Sequence, residues 1–506
     1  MSISTACTRQ NSRNNHLSAL QMVSEKQSEE SLKKRVVSGL SWLVGLRAVA
    51  QLYSWVITLI VIRLLSPADY GLKALAGPLI GVLLVAGAAG MTTSLVQTRN
   101  LTETTIRSTF GFLLLANGVL AIVIALSAPF LANFYGEPYI KWIIWALIAL
   151  FVIKPFQVIP LALLSRRLEY KRRSIATTAG TIVGSSAMLG LAFAGYGVWA
   201  LVLGQLILEA TKTILLNVFC YWPKRPSFSL HEIRQLLSYG LFVVASSTTW
   251  HFCLQLDVLV GGRFYSAEVI GLYAVGLFLA RLPATKILPL LHQVSMPAYS
   301  KVQHDKQQVR WYFMKSVSMV SLVTFPMFFG IAALSAPLVE LLFGTKWMPA
   351  AEIAVVIALA STISSILHLL GPMLHGLGLA KVDLRLAIVS TPLMLASLVL
   401  MAPFGVMGLA VGWSIGQFAG FIAGLVMTKK ALGIMPKDVL MKMLPATICG
   451  ALMFLMVLGF SHVAGPVLEN WALVLLAVAI GAAAYVTSVR IFFPKQYFEF
   501  IGVFRK

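Results

Sequence analysis

Charged side chains cost about 2.5–3.5 kcal/mol each inside a bilayer on insertion scales, so those that interrupt apolar segments mark pathways by default. In this chain most of them are cations. Arg47 lies nine residues into the first long apolar segment, and Gln51, Ser54 and Thr58 follow at i+4, i+7 and i+11 on the same helical face. Lys154 stands beside Pro155, ahead of Gln157. Arg281 and Lys286 flank Pro283; at five residues apart they point about 140° from one another on an ideal helix, unless the proline bends it. Ser247, His251 and Gln255 recur at four-residue steps. A cationic surplus of this kind suits an anion, and a guanidinium can hold one through two bonds at once. Arg47, Gln51, Lys154, Arg281, Lys286 and His251 are therefore the candidate lining of an anion-accepting cavity. Glu209, beside Lys212, and Asp257 are the candidates for ion coupling. Plainer roles compete: Lys212 and Lys286 can snorkel to an interface, Glu209 and Lys212 can pair, and His251 suits a structural hydrogen bond as well as a proton carrier. Trp42, Trp55, Trp142, Trp145 and Trp199 fit interfacial anchors better than sugar-stacking platforms.

The elements that position these groups are membrane spans. Of 506 residues, 58% are hydrophobic and 11% charged; soluble domains carry about 25% charged residues. Fourteen apolar segments of roughly span length can be marked: 38–62, 74–96, 109–131, 141–164, 174–194, 197–219, 236–257, 268–290, 315–336, 350–372, 385–402, 405–428, 441–461 and 470–490. The net charge of +22 would suggest nucleic acid in a soluble protein. Here the basic residues gather in "SRRLEYKRRS", "YWPKRPSFSLHEIR", "KVQHDKQQVRWYFMK" and "KKALGIMPKDVLMK", all after even-numbered spans. Positive-inside topology explains them and places both termini in the cytoplasm. Residues 1–31 are polar, without the apolar core of a signal peptide, and read as a disordered tail. Cys7, Cys220, Cys253 and Cys449 have no disulfide or metal spacing. No P-loop, no H-E-x-x-H and no large outer loop is present, so neither nucleotide binding nor a glycosyltransferase or polymerase site is expected, and no cofactor or metal.

The chain repeats itself. "RLLSPADYGLKA" from Arg63 returns as "RFYSAEVIGLYA" from Arg263; "LSAPFLANFYG" from Leu126 returns as "LSAPLVELLFG" from Leu334; "AGYGVWALVLG" from Ala194 returns as "APFGVMGLAVG" from Ala402. The matches follow spans 1 and 7, 3 and 9, 5 and 11. Six spans are thus duplicated, and because six is even both copies cross in the same sense, a parallel repeat. The expected organisation is a tail (1–35), a six-helix bundle (36–219), a linker (220–235), a second bundle (236–428), and helices 13–14 with a further tail (429–506). The fold class is all-α and polytopic. Gly71 and Gly271 are expected to serve helix-end geometry.

With "IRLLSPADYGL" after span 1, paired six-helix halves, fourteen spans and a basic loop after span 4, the chain resembles bacterial Wzx-type polysaccharide flippases of the multidrug/oligosaccharidyl-lipid/polysaccharide exporter superfamily, over roughly residues 32–490. It looks closest to the exopolysaccharide or colanic-acid branch. The resemblance implies an inner-membrane transporter, not an enzyme, that turns undecaprenyl-pyrophosphate-linked oligosaccharide from the cytoplasmic to the periplasmic leaflet by alternating access. By the same resemblance it would serve exopolysaccharide, capsule or O-antigen synthesis. Its partners would be membrane lipids, a polysaccharide polymerase and a chain-length regulator, with no nucleic acid. The cationic candidates would then meet pyrophosphate or sugar. The alternatives are a peptidoglycan lipid-precursor flippase, a cation-coupled drug exporter of the same superfamily, and, from another class, a membrane glycosyltransferase or polymerase.

Overall fold

Lipid offers backbone amides no hydrogen-bond partner, so a segment that crosses it must satisfy them within itself, and the α-helix does so. The computed structural model describes residues 49–88, 91–98, 101–229 and 231–504. Within these residues no strand occurs. The first half comprises α1 (Val49–Leu64), α2 (Pro67–Ala88), α3 (Met91–Gln97), α4 (Glu103–Tyr135), α5 (Ile140–Leu147), α6 (Ala149–Arg166), α7 (Tyr170–Phe193) and α8 (Val198–Phe219). The second comprises α9 (Arg234–Cys253), α10 (Leu256–Phe264), α11 (Ala267–Lys301), α12 (Lys306–Ala333), α13 (Ser335–Phe343), α14 (Pro349–Leu367), α15 (Leu370–Gly376), α16 (Ala380–Met401) and α17 (Gly405–Leu432). Then come α18 (Pro436–Ala464), α19 (Asn470–Phe492) and α20 (Pro494–Phe504).

Among the described residues, eleven segments are long and apolar enough to cross a bilayer. One of them, Ala380–Leu432, is two helices, α16 and α17, joined by a 3-10 turn at Ala402–Phe404. Helix α1, and α9 with α10, occupy the places of the first and seventh expected spans, which accounts for fourteen positions. The differences from the sequence reading are breaks and additions. The spans expected at 141–164, 236–257 and 350–372 are each two helices. The seventh breaks at Leu254–Gln255, where a new helix must satisfy its own first amides; the Asp257 carboxylate takes the Val258 N–H at 2.8 Å. Helix α13 begins at the last two residues of expected span nine and runs beyond them, and α20 lies in what reads as tail.

The apolar cores show how the halves sit. One core draws on both: Ile62, Leu75, Ile124 and Ile143 pack in the same cluster as Tyr273, Ile353 and Trp413. Nearer the basic turns the core divides. Met91, Phe110, Val158 and Trp222 form one cluster in the first half, and Phe313, Leu370, Phe421 and Val439 belong to another in the second. The halves are therefore fused at the end opposite the basic turns, and each has its own core toward them. Helix α9 runs beside both α2 and α3 and keeps the halves in touch there.

Candidate functional site

The repeated punctuation builds the fused end. Ser66 caps α2 reciprocally with Asp69: the Ser66 amide and hydroxyl donate to Oδ2 at 3.0 and 2.6 Å, and the Asp69 amide donates to the Ser66 hydroxyl at 3.2 Å. The other Asp69 oxygen accepts the Val198 amide at 2.8 Å, joining the turn before α2 to the turn before α8. In the second half the Tyr265 hydroxyl donates to the Ala402 carbonyl and joins the corresponding turns by other chemistry. Between the halves, the first turns of α2 and α11 cross with backbones touching. A Cβ on Gly71 would lie 3.0 Å from the Ala267 Cα and closer still to its carbonyl; one on Gly271 would lie 2.9 Å from the Gly71 nitrogen. These glycines thus serve close approach between helices and not helix-end geometry.

The turn after α13 completes this seam. The Lys346 ammonium donates to the carbonyls of Arg63 (2.6 Å) and Leu65 (2.7 Å), and the Trp347 indole to that of Ile62 (3.0 Å). The Arg63 guanidinium donates in return to the carbonyls of Leu341 and Leu342. The free carbonyls at the end of α1 are therefore satisfied by the other half of the molecule. Partial burial lowers the pKa of Lys346 from its ordinary value, with Asp69 pulling it up.

The structure distributes the cationic candidates among separate clusters. In the first half, one Glu209 oxygen collects Gln157 at 2.6 Å, Lys212 at 3.5 Å and Lys154 at 3.6 Å. Lys154 also donates to Gln157 Oε1 at 3.0 Å, and Gln157 to Thr213 at 3.2 Å. Two lysines on one carboxylate leave a net positive charge on α6 and α8. In the second half, buried Asp257 accepts from the Tyr273 hydroxyl at 2.9 Å and lies within Coulombic range of Arg281. The Arg281 guanidinium lies 5.8 Å from the centre of the Trp413 ring. Lys286 points elsewhere, as its spacing from Arg281 requires; its ammonium stands 5.3 Å from the Trp55 ring centre, in a cavity of about 350 Å³ between α1 and α11. His251 and Gln255 face the backbone of α2, where a Cβ on Gly81 would lie 2.9 and 3.3 Å from their side-chain nitrogens. Gln51 is exposed. Arg47 and Trp42 lie outside the described residues.

Sequence reasoning missed one cluster. Asp383 is buried on α16 and accepts from His375 Nε2 at 2.9 Å, from the Trp250 indole at 3.3 Å and from the Ser246 hydroxyl. Its partners are 133 and 137 residues away on α9, and eight away on α15. The available signal was a lone acid between spans ten and eleven, in a turn that otherwise reads as basic. Among the described residues no group of three or more His, Cys, Asp or Glu is placed to hold a metal ion.

Two six-span halves, fused at one end with separate cores at the other and with polar clusters inside each, define a polytopic membrane transporter. Residues 60–352 match the family model described as polysaccharide biosynthesis protein, and the chain belongs to that family. It is 23% identical to the lipopolysaccharide biosynthesis protein WzxC of Escherichia coli K12, over 80% of this chain and 83% of that one. It is 26% identical to the succinoglycan biosynthesis transport protein ExoT of Rhizobium meliloti, over 68% and 70% of the two chains. Among solved structures the fold is similar to that of the lipid II flippase MurJ in an inward closed conformation, with a TM-score of 0.71, 14% identity, and 88% of this chain and 98% of that one covered. An inward-facing MATE-family multidrug transporter has a TM-score of 0.58 at 14% identity, covering 76% and 94%.

Proposed function

We propose that the protein turns an oligosaccharide carried on a polyprenyl pyrophosphate, in bacteria undecaprenyl pyrophosphate, from one membrane leaflet to the other by alternating access. The observation that carries this reading is the asymmetry of the two ends: the halves share a core at the seam and have separate cores toward the basic turns. A molecule so arranged opens by parting at one end while it closes at the other. The family and the relatives named for polysaccharide synthesis and transport support a lipid-linked sugar as cargo.

The basic turns favour a bacterial inner membrane with those turns and both termini in the cytoplasm. On that orientation the seam would close the periplasmic mouth. The working units are the bundles 36–219 and 236–428, with the tail 1–35, the linker 220–235 and the segment 429–506 outside them. Arg47, Gln51, Lys154, Arg281, Lys286 and His251 are the proposed contacts for pyrophosphate and sugar. Glu209 and Asp257 are the proposed points at which an ion gradient acts on the two cationic clusters. A polymerase and a chain-length regulator would receive the product. A cationic drug is the less suitable cargo, because its site would need anionic surplus and the Glu209 cluster has the opposite sign.

The test is reconstitution. In proteoliposomes carrying a fluorescent polyprenyl-pyrophosphate oligosaccharide, the protein is expected to render the label accessible to a membrane-impermeant quencher. Equal movement of a cationic dye, with none of the lipid-linked sugar, would reverse the reading.

A further inference from the structure

The pocket around Asp383 belongs to neither the seam nor the cationic clusters. It encloses about 320 Å³ between α9, α11, α15 and α16, and Ser247, Trp250, His292, His368, His375 and Asp383 line its polar side. The partners of Asp383 named above are all N–H or O–H donors: an indole, a hydroxyl and an imidazole. An indole has no lone pair for a cation, so the set is ill suited to a metal ion. It is well suited to a proton, since the imidazole of His375 can take one on its second nitrogen while it keeps its hydrogen bond to the carboxylate.

The second observation concerns α9. Ser246 and Trp250, four residues apart, lie on the face bound to Asp383. The next face carries His251 and, just past the helix end, Gln255, which lie against α2 of the other half at Gly77 and Gly81. One helix is thus held by a carboxylate of its own half and by the backbone of the opposite half. We propose that Asp383 and His375 form a proton-binding site, and that α9 transmits its occupancy to the contact between the halves. As a coupling site this rests on the transport reading above; as a proton site it does not.

The step is a proton taken from water onto the Asp383–His375 pair, with no bond broken besides hydrogen bonds. With the pair negative, Ser246 and Trp250 make charge-assisted bonds to a carboxylate. With the proton on His375 the imidazolium binds the same carboxylate that Ser246 and Trp250 hold, so the charge available to those two bonds falls. The other titratable groups facing the pocket are His292 on α11, whose buried Nε2 has no hydrogen-bond partner, and His368 at the end of α14, whose Nδ1 donates to the Ser364 carbonyl at 2.7 Å. Arg281 on α11 lies within Coulombic range of His368. Lys381 and Arg385 of α16 are on its exposed side.

The experiment uses purified full-length protein in nanodiscs without cargo, with spin labels at Leu64 and Glu268, both exposed at the seam. The distance distribution is expected to shift with pH between about 5 and 8, and the shift is expected to vanish in His375→Gln and in Asp383→Asn. Trp250→Phe, which removes only the indole N–H, should keep the proton uptake seen by an indicator dye after a pH jump but lose the distance change. His292→Gln controls for the neighbouring imidazole and should respond like the parent. A pH-insensitive parent protein, or an undiminished response in both His375→Gln and Asp383→Asn, overturns the site; a response surviving in Trp250→Phe overturns α9 as its carrier. Gel filtration checks each variant, and if Asp383→Asn fails to fold, His375→Gln decides alone. Because no cargo is present, a failed flipping assay beside an intact pH response would reject the transport reading and leave the proton site standing.

Discussion

A single methyl group on Gly71 is expected to prise open the seam. The Ala267 Cα would lie 3.0 Å from it and the Ala267 carbonyl closer, whereas carbon–carbon contacts settle near 3.5–4.0 Å. The first turns of α2 and α11 would have to separate by on the order of 1–2 Å. The obstacle is backbone on both sides, so no rotamer change relieves it. Overpacking of this kind costs about 1–3 kcal/mol. The strain exists only while the two turns touch, so nearly all of it bears on the sealed state. At about 1.4 kcal/mol per tenfold, Gly71→Ala should shift the balance toward an open mouth by roughly five- to a hundredfold, and Gly71→Ala/Gly271→Ala further. The assay is the distance between labels at Leu64 and Glu268, read beside the amount of protein in the membrane and the rate of flipping in proteoliposomes. Normal membrane levels, a longer distance and slowed flipping are expected. A double variant that keeps both the short distance and the normal rate would refute the claim that these glycines permit the seal.

Three further outcomes follow from the clusters. Lys346→Ala withdraws two hydrogen bonds from the carbonyls of Arg63 and Leu65, so it should lengthen the same label distance, by less than Gly71→Ala because the ammonium is exposed. Glu209→Gln removes the carboxylate shared by Lys154 and Lys212 and should strengthen retention of a pyrophosphate analogue on the purified protein, while Lys154→Ala should weaken it; equal binding by both in an isothermal titration would remove that cluster from the cargo path. Arg281→Ala removes the guanidinium that lies within Coulombic range of buried Asp257, so its membrane level should fall. Asp257→Asn added to Arg281→Ala should restore the level, and an unchanged level in Arg281→Ala would mean the two charges are not coupled.

The spans and the duplication were legible because each rests on local pattern: apolar runs of bilayer length, basic turns on one side, and the same Ser and Gly punctuation 200 residues apart. The pairing of Glu209 with Lys212 was legible for the same reason, as an i,i+3 spacing. The helix breaks were not, because Pro155 and Pro160 lie inside α6 while the actual interruption falls at Ile148. Proline marks where a helix can bend, and tertiary packing decides where it does. The Asp383 cluster was hidden for a stronger reason. Two of its residues, Ser246 and Trp250, lie more than 130 positions from Asp383, and the lone acid between spans ten and eleven carries no sign in sequence of what it meets. The role of Gly71 and Gly271 was likewise invisible, since a glycine required by a neighbouring backbone looks in sequence like one required by its own turn.

The crossing at these glycines is reciprocal: Gly71 meets Ala267, and Gly271 meets Pro67, the residues at matching places in the repeat. This is the form of an isologous dimer interface, in which residue i touches j and j touches i, here written into one chain. A protein of six such spans, inserted twice in the same sense, could make this contact with a second copy of itself. Fusing the copies frees each half to diverge while the contact on the axis stays symmetric, and the two halves have done so: Asp69 bonds Val198 in one, and Tyr265 bonds Ala402 in the other. Symmetry is thus kept where the halves meet and relaxed in the joints within each half, so the two sides can specialise in different steps of one cycle without losing the seal they share.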